Sequence, residues 1–82
     1  MNGRIAVSKA GHDAGKAYVI VGCDREFLLL ADGIGRKLGN PKRKNLRHVE
    51  VCENEEASKL KQMISEKARG CDEAIRQVLH HL

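Results

Sequence analysis

Hydrophobic positions in the first half of the chain recur with the two-residue period of β-strands. Ile5 and Val7 share one face of the first such segment, and Val49 and Val51 share one face of the last. Turn residues separate the segments, including Asp32-Gly33, where the chain is expected to reverse direction. Four or five short strands at this spacing predict a small β-barrel. The predicted strand segments are residues 3–8, 18–21, 27–31, 36–38 and 46–51.

The second and third of these segments are joined by only a short polar stretch. Residues 18–21 are mostly β-branched, residues 27–31 are continuously apolar, and Cys23-Asp24-Arg25-Glu26 lies between them. Two apolar runs with so short a polar connection predict an antiparallel hairpin.

Residues 53–82 switch to the three- and four-residue spacing of amphipathic helices. Asn54 is suited to cap a first helix whose initial turn is acidic and whose apolar stripe continues to Ala68. Cys71 or Asp72 is suited to cap a second helix that runs to the end of the chain. The pattern therefore predicts two short amphipathic helices behind the strands.

The chain length of 82 residues limits the protein to one thin domain. We expect a mainly β fold with an α tail, in which residues 1–52 form the barrel and residues 53–82 a helical extension packed on it. A barrel this short has too little core to be stable alone, which favours that packing. The alternative, that the helices present a dimer or partner surface, stays open.

Charge and aromatic content narrow the classes of function. The net charge is +4, and residues 1–52 hold 10 basic and 5 acidic residues, whereas residues 53–82 hold 5 and 6. The only aromatic residues are Tyr18 and Phe27, and we expect Phe27 in particular to lie in the core. Proteins that read single-stranded nucleic acid stack bases on aromatic side chains, so this class is excluded.

The strongest local feature is a basic segment without any acidic residue between Asp32 and Glu50. Pro41 stiffens what we expect to be a loop, and Asn45 adds an amide that can bond phosphate or sugar. Cations held on a stiff loop suit a polyanion, because each neutralised phosphate releases counterions. The cations are Arg36, Lys37, Lys42, Arg43, Lys44 and Arg47.

Residues 3–21 resemble the KOW motif, in which a strand, a glycine-bearing loop and a second strand begin an SH3-like barrel. With Leu30-Ala31-Asp32-Gly33 and the segment from Pro41 to His48, the chain resembles bacterial KOW-domain RNA-binding proteins related to the fourteen-e, six-e and twenty-seven-e group of large-subunit ribosomal proteins. The resemblance covers about residues 3–51. It implies a barrel that contacts structured RNA, often ribosomal, with residues 42–45 facing the RNA.

The expected function is non-catalytic binding of structured RNA, with ribosomal RNA or the large ribosomal subunit as partner. The alternative is a protein-interaction adaptor, or a homodimer formed through the helical tail. The candidate RNA-binding residues are Lys9, Lys16, Arg36, Lys37, Lys42, Arg43, Lys44, Asn45 and Arg47. The candidate loop-shaping residues are Gly11, Gly15, Gly33 and Pro41.

Motifs for catalysis, cofactors and metals are not supported. Residues 11–16 differ from a phosphate-binding loop, because only three residues separate the glycines and Ala17 follows the lysine. The three cysteines form no C-x-x-C pair, and we expect them to be free, buried thiols. Without a signal-like start or an apolar run of about 20 residues, we expect a cytoplasmic protein with no membrane partner.

Overall fold

The computed structural model describes residues 1–82 and contains a single five-stranded antiparallel sheet followed by three short helices. The strand order across the sheet is β4-β3-β2-β1-β5. The prediction of a mainly β fold with a helical tail is confirmed. No helix has the length and apolar content needed to cross a membrane. The elements are β1 (Ile5–Ser8), β2 (Ala17–Asp24), β3 (Phe27–Ala31), β4 (Lys42–Asn45), a 3₁₀ turn (Leu46–His48), β5 (Val49–Cys52), α1 (Glu55–Ser58), α2 (Lys61–Glu66) and α3 (Cys71–His80).

The predicted hairpin is present as β2 and β3. Only Arg25 and Glu26 connect the two strands, and Arg25 adopts a left-handed conformation with φ of 59°. Positive φ in a two-residue connection matches the twist of the flanking strands. The register shifts between Ile20 and Gly22, which marks a β-bulge and bends the sheet.

The sheet is apolar on both faces, and each face carries its own core. On one face, sheet residues pack with the helices; the buried members are Ile5, Val19, Ala31, Ala57, Leu60, Ile64, Cys71 and Ile75. On the other face, a second core is made of sheet residues alone; these are Ala6, Tyr18, Ile20, Leu28, Leu30 and Val49. Removing a large aliphatic side chain of this kind from water contributes about 1.5–3 kcal/mol, so the helices contribute substantially to the stability of the sheet.

The helical tail differs from the prediction in its first half. The single helix expected from Asn54 to Ala68 is instead α1 and α2, because the N–H of Leu60 donates to the carbonyl of Ala57, three residues back. That tighter turn breaks the helix and lets Leu60 and Ile64 both reach the sheet. Asn54 does cap α1, since its Oδ1 accepts from the N–H of Ala57 at 2.9 Å.

Helix α3 begins one or two residues earlier than predicted. Gly70 is the cap, with a left-handed φ of 82°, and Cys71 is the first helical residue. Asp72 lies in the first turn, where its side chain bonds the distant N–H of Leu38 instead of its own helix. A sequence pattern cannot reveal that a neighbouring segment will compete for a capping side chain.

The segment between β3 and β5 differs most from the sequence prediction. Residues 36–38 form an irregular loop and not a strand, because the carbonyl of Arg36 accepts from the N–H groups of Asp32 and Gly33. Residues 42–45, expected to be a loop, form the edge strand β4 paired with β3. The strand expected over 46–51 is limited to β5, because Asn45 caps a 3₁₀ turn by accepting from the N–H of Arg47.

The three cysteines are free, but only Cys71 is buried. Cys23 and Cys52, expected to be buried at strand ends, are exposed. Cys23 is the second-last residue of β2, and Cys52 is the last residue of the edge strand β5. Both cysteines lie at strand ends, outside the two hydrophobic cores of the sheet.

Candidate nucleic-acid interface

A carboxylate in the loop between β1 and β2 organises the candidate interface. Asp13 accepts hydrogen bonds from the hydroxyls of Ser8 at 2.8 Å and Tyr18 at 2.7 Å. It also pairs with Nζ of Lys42 at 2.9 Å and Nζ of Lys44 at 3.0 Å. The Asp13 side chain is only 11% exposed, so these four donors replace most of its water.

These contacts shift two pKa values in opposite directions. Burial alone would raise the pKa of Asp13, but the hydrogen bonds from Tyr18, Lys42, Ser8 and Lys44 outweigh it and hold that pKa well below its usual range. Burial and the bond to the Asp13 carboxylate both raise the pKa of Tyr18 above its usual range. Asp13 is thus ionised and Tyr18 protonated at neutral pH.

Lys44 joins the loop of residues 9–16 to the edge strand β4. Its Nζ donates to the Ala10 carbonyl at 2.9 Å as well as to Asp13, and its side chain is only 12% exposed. Lys44 therefore faces the protein interior and acts first as a structural cation. Of the candidate RNA-binding residues in β4, Lys42 is partly buried beside it, and Arg43 is exposed.

A second buried carboxylate shapes the turn after β3. Asp32 accepts from Nζ of Lys16 at 2.7 Å and from the backbone N–H groups of Ile34 and Arg36, each at 2.9 Å. Burial would raise its pKa, but these donors, Lys16 above all, lower it. The Lys16 side chain stays half exposed, so its ammonium can still meet an external anion.

The turn after Asp32 is docked on α3 through Gly33. A Cβ on Gly33 would collide with the carbonyl oxygen of Asp72 and lie 3.0 Å from the backbone nitrogen of Arg76. Arg76 Nη1 donates to the Gly33 carbonyl at 3.1 Å, and the N–H of Leu38 donates to Asp72 Oδ1 at 2.7 Å. The helical tail therefore holds the loop that carries Arg36 and Lys37.

Arg43 projects from the opposite face of β4 to Lys42 and Lys44. Its guanidinium lies 4.1 Å from the centre of the Phe27 ring, and its Nη2 lies 3.6 Å from Asp24 Oδ2. Phe27 is half-buried under this contact, which corrects the expectation that it is a core residue. Stacking on a ring orients an arginine fork without removing its donors from solvent.

The remaining candidate cations are exposed and form no ion pair. They are Lys9, Arg36, Lys37 and Arg47. The backbone N–H of Lys9 donates to the His48 carbonyl at 2.8 Å, which brings the glycine-bearing loop beside the 3₁₀ turn that carries Arg47. The side-chain oxygen of Asn45 is used to cap that turn, so only its amide NH₂ is available to a ligand.

The glycines chosen as loop-shaping residues have the backbone conformation that glycine permits. Gly11, Gly15 and Gly33 have φ values of 89°, 90° and 78°, in the left-handed region. Pro41 directly precedes β4 and ends the irregular loop. These residues set where the cations lie without contributing charge themselves.

Asp13 and Asp32, which the sequence did not predict as site residues, hold three of the candidate cations in place. Each pairs with cations of the candidate set that are 16 to 31 residues away in sequence. Residues 33–49 therefore contain no acidic residue, but some of their cations are paired with an aspartate that is distant in sequence. An isolated aspartate inside a glycine-bounded loop, as in residues 11–15, is the one sequence signal that points to such a structural acid.

No group of three or more His, Cys, Asp or Glu side chains could hold a metal ion. The two larger recesses, of about 320 and 330 Å³, lie at the helical end of the molecule and hold no cysteine. No protein-family model matches the chain, and no curated protein matches its sequence. What this surface can bind must therefore follow from its own charges and shape.

Proposed function

We propose that the protein is a non-catalytic binder of structured RNA, built on a KOW-type, SH3-like barrel, and that ribosomal RNA is its natural target. The observation that carries the proposal is the ion pairing of Asp13 with Lys42 and Lys44. It joins the glycine-bearing loop to β4, so that two basic segments distant in sequence form one surface. The resemblance to the fourteen-e, six-e and twenty-seven-e ribosomal group supports ribosomal RNA over other folded RNA.

The barrel identity has support from the arrangement of the first two strands. β1, the loop of residues 9–16 and β2 reproduce the strand, glycine-bearing loop and strand of the KOW motif. β1 also pairs with β5, so the first and last strands of the region covered by the resemblance lie side by side. A core made of sheet residues alone, with no helix over it, favours a barrel over a flat sheet.

The charge of the surface suits a polyanion even after internal pairing. Residues 9–16 and 32–47, together with Asp24 of β2, carry eight candidate cations against three aspartates, a net of +5. The members are Lys9, Lys16, Arg36, Lys37, Lys42, Arg43, Lys44 and Arg47, with Asp13, Asp24 and Asp32. Folded RNA presents closely spaced phosphates and 2′-hydroxyls, which such a surface recognises by shape and charge.

The internal ion pairs do not block this role. The pair of Arg43 with Asp24 is half exposed at both ends, and Lys16 is half exposed above Asp32. The exposed pair of Arg43 with Asp24 contributes at most about 1 kcal/mol, so an RNA phosphate can compete for Arg43. Lys16 can contact a phosphate while it stays paired with the buried Asp32. The buried pairs of Asp13 instead fix the loop before RNA arrives, which lowers the entropy cost of binding.

The proposal is tested by removing three exposed cations from the surface. The triple variant Lys9→Gln, Arg43→Gln and Arg47→Gln keeps Asp13 and its partners intact. We expect weaker binding to a ribosomal hairpin RNA and a slope of log affinity against log salt that is reduced by about 2 to 3 units, at about 0.9 per phosphate contact. Fluorescence anisotropy over a range of salt concentrations measures both quantities.

The control removes the same charge from the helical tail. Lys59→Gln, Lys67→Gln and Arg69→Gln are exposed positions that lie outside the surface and change the net charge equally. We expect this variant to keep the wild-type slope. Equal loss in both triple variants would indicate non-specific attraction to the whole protein, and no binding by the wild type would refute RNA binding altogether.

An adaptor or a homodimer through the helical tail has weaker support. The apolar stripe of α3 is already used inside the protein, where Cys71 and Ile75 are buried against the sheet. What remains outside is Leu82 at the end of the chain, beside a recess that Val78 also lines. Sedimentation equilibrium on the purified protein tests the dimer directly, and a monomer at micromolar concentration would exclude it.

A further inference from the structure

The docking of the turn after β3 on α3 creates a recess between the sheet and the helical tail. It has a volume of about 240 Å³ and is lined on its polar side by Lys16, Arg76 and His80. Ile34 and Leu79 line its apolar side. The recess is somewhat smaller than the usual pocket for a whole small molecule, about 300 to 1,000 Å³, so a larger ligand would lie partly outside it.

The polar side of the recess is set up for an anion. The one carboxylate there, Asp32, is occupied by Lys16 and by the N–H groups of Ile34 and Arg36. Arg76 uses Nη1 on the Gly33 carbonyl, so its remaining N–H donors are free while the side chain is held in place. An arginine fixed in this way suits a phosphate oxygen, because its donors are already oriented.

The apolar side of the recess suits an uncharged, apolar part of a ligand. Ile34 is 65% exposed, although it is a large aliphatic residue on a turn that three hydrogen-bonding contacts hold in position. Leu79 is partly buried beside it on α3. A ligand that places an apolar surface on Ile34 and Leu79 and an anion on Lys16 and Arg76 would satisfy both sides of the recess.

We infer that this recess binds one unpaired nucleotide of the RNA, with its phosphate at Lys16 and Arg76 and its sugar and base against Ile34 and Leu79. A base inside a duplex is stacked and cannot enter a recess, whereas a bulged nucleotide can. The inference rests on the proposed function and extends it, since it gives the helical tail a direct part in recognition.

The test compares two hairpin RNAs that differ only by a single-nucleotide bulge. We expect the wild type to bind the bulged hairpin about tenfold more tightly than the fully paired one. One charge-assisted contact to the phosphate and the apolar contact beside it would provide this difference. Arg76→Gln and Ile34→Ser should each remove most of that preference. Their affinity for the fully paired hairpin should change less than about twofold.

Matched controls are available in the tail itself. Arg69→Gln removes an exposed arginine outside the recess, and Leu82→Ser removes an aliphatic residue of similar exposure, 61%. Both should keep the wild-type preference. Because Ile34 is exposed, Ile34→Ser should fold normally even if Arg76→Gln loosens the turn, and thermal unfolding checks this.

Four results would overturn the inference. Equal wild-type affinity for both hairpins, or an unchanged preference in Ile34→Ser and Arg76→Gln, would refute the nucleotide site while leaving RNA binding intact. Competition by free adenosine 5′-monophosphate at micromolar concentration would assign the recess to a free nucleotide instead of RNA. Failure of the wild type to bind either hairpin would refute the proposed function, and this site with it.

Discussion

Asp13 and Lys44 form an ion pair of 3.0 Å across 31 positions of sequence. The same Nζ of Lys44 donates to the Ala10 carbonyl, so one lysine of the edge strand holds the glycine-bearing loop at two points. Strand β4 in turn pairs with β3 and leads into the 3₁₀ turn. The glycine-bearing loop and β4 are therefore held together in the free protein.

The Asp13→Asn variant should lose about 2 to 4 kcal/mol in its free energy of unfolding. A neutral amide leaves the partly buried Lys42 and Lys44 without their counter-charge and offers one acceptor oxygen to four donors. Urea denaturation followed by circular dichroism measures the loss. Asp24→Asn is the control, because its pair with Arg43 is exposed and should contribute less than about 1 kcal/mol.

Tyr18 should resist ionisation in the folded protein. Burial and the bond to Asp13 raise its folded pKa above the ordinary value of 10.0, so this contact stabilises the fold fully below pH 10.0 and the stabilisation is lost as pH rises further. Tyr18 is the only tyrosine and no tryptophan is present, so phenolate absorbance reports it alone. A native protein with half of its phenol ionised at pH 10.0 would contradict the buried hydrogen bond.

Two glycines of the same turn should respond very differently to alanine. Gly33 has a left-handed φ and its added Cβ would collide with α3, whereas Gly35 has neither restriction and open space around its Cα. We expect Gly33→Ala to destabilise the protein by about 3 kcal/mol and Gly35→Ala to change stability by less than about 0.5 kcal/mol. Thermal unfolding distinguishes them, and equal stability would mean that the turn is not docked on α3.

Local patterns predicted the parts of the fold that local interactions determine. The β2–β3 hairpin and the Asn54 cap follow from apolar runs, a short connection and a side chain next to its target. Strand β4 was missed because its four residues are polar, and its inward-facing lysines are neutralised by Asp13 from a distant loop. The sequence therefore identified the basic segment but not the carboxylates that give it a defined shape.

The three thiols should separate into two classes of reactivity. Cys23 and Cys52 are exposed, whereas Cys71 is buried and its pKa is raised by burial and by the nearby charge of Asp72. A thiol-specific reagent such as dithionitrobenzoate should modify two thiols rapidly in the native protein and the third only on unfolding. Replacement of Cys71 by serine should leave the fast reaction unchanged, and three fast thiols in the wild type would contradict the packing of α3.

Mapping the RNA contacts by nuclear magnetic resonance tests the central claim most directly. Backbone amide signals of the isotope-labelled protein are followed while a ribosomal hairpin RNA is added. We expect the shifts to concentrate in residues 9–16 and 42–47, with residues 32–36 joining them when the hairpin carries a bulge, and to be small in α1 and α2. Shifts centred on residues 55–66, or no shifts at a large excess of RNA, would contradict the assignment of this surface to RNA.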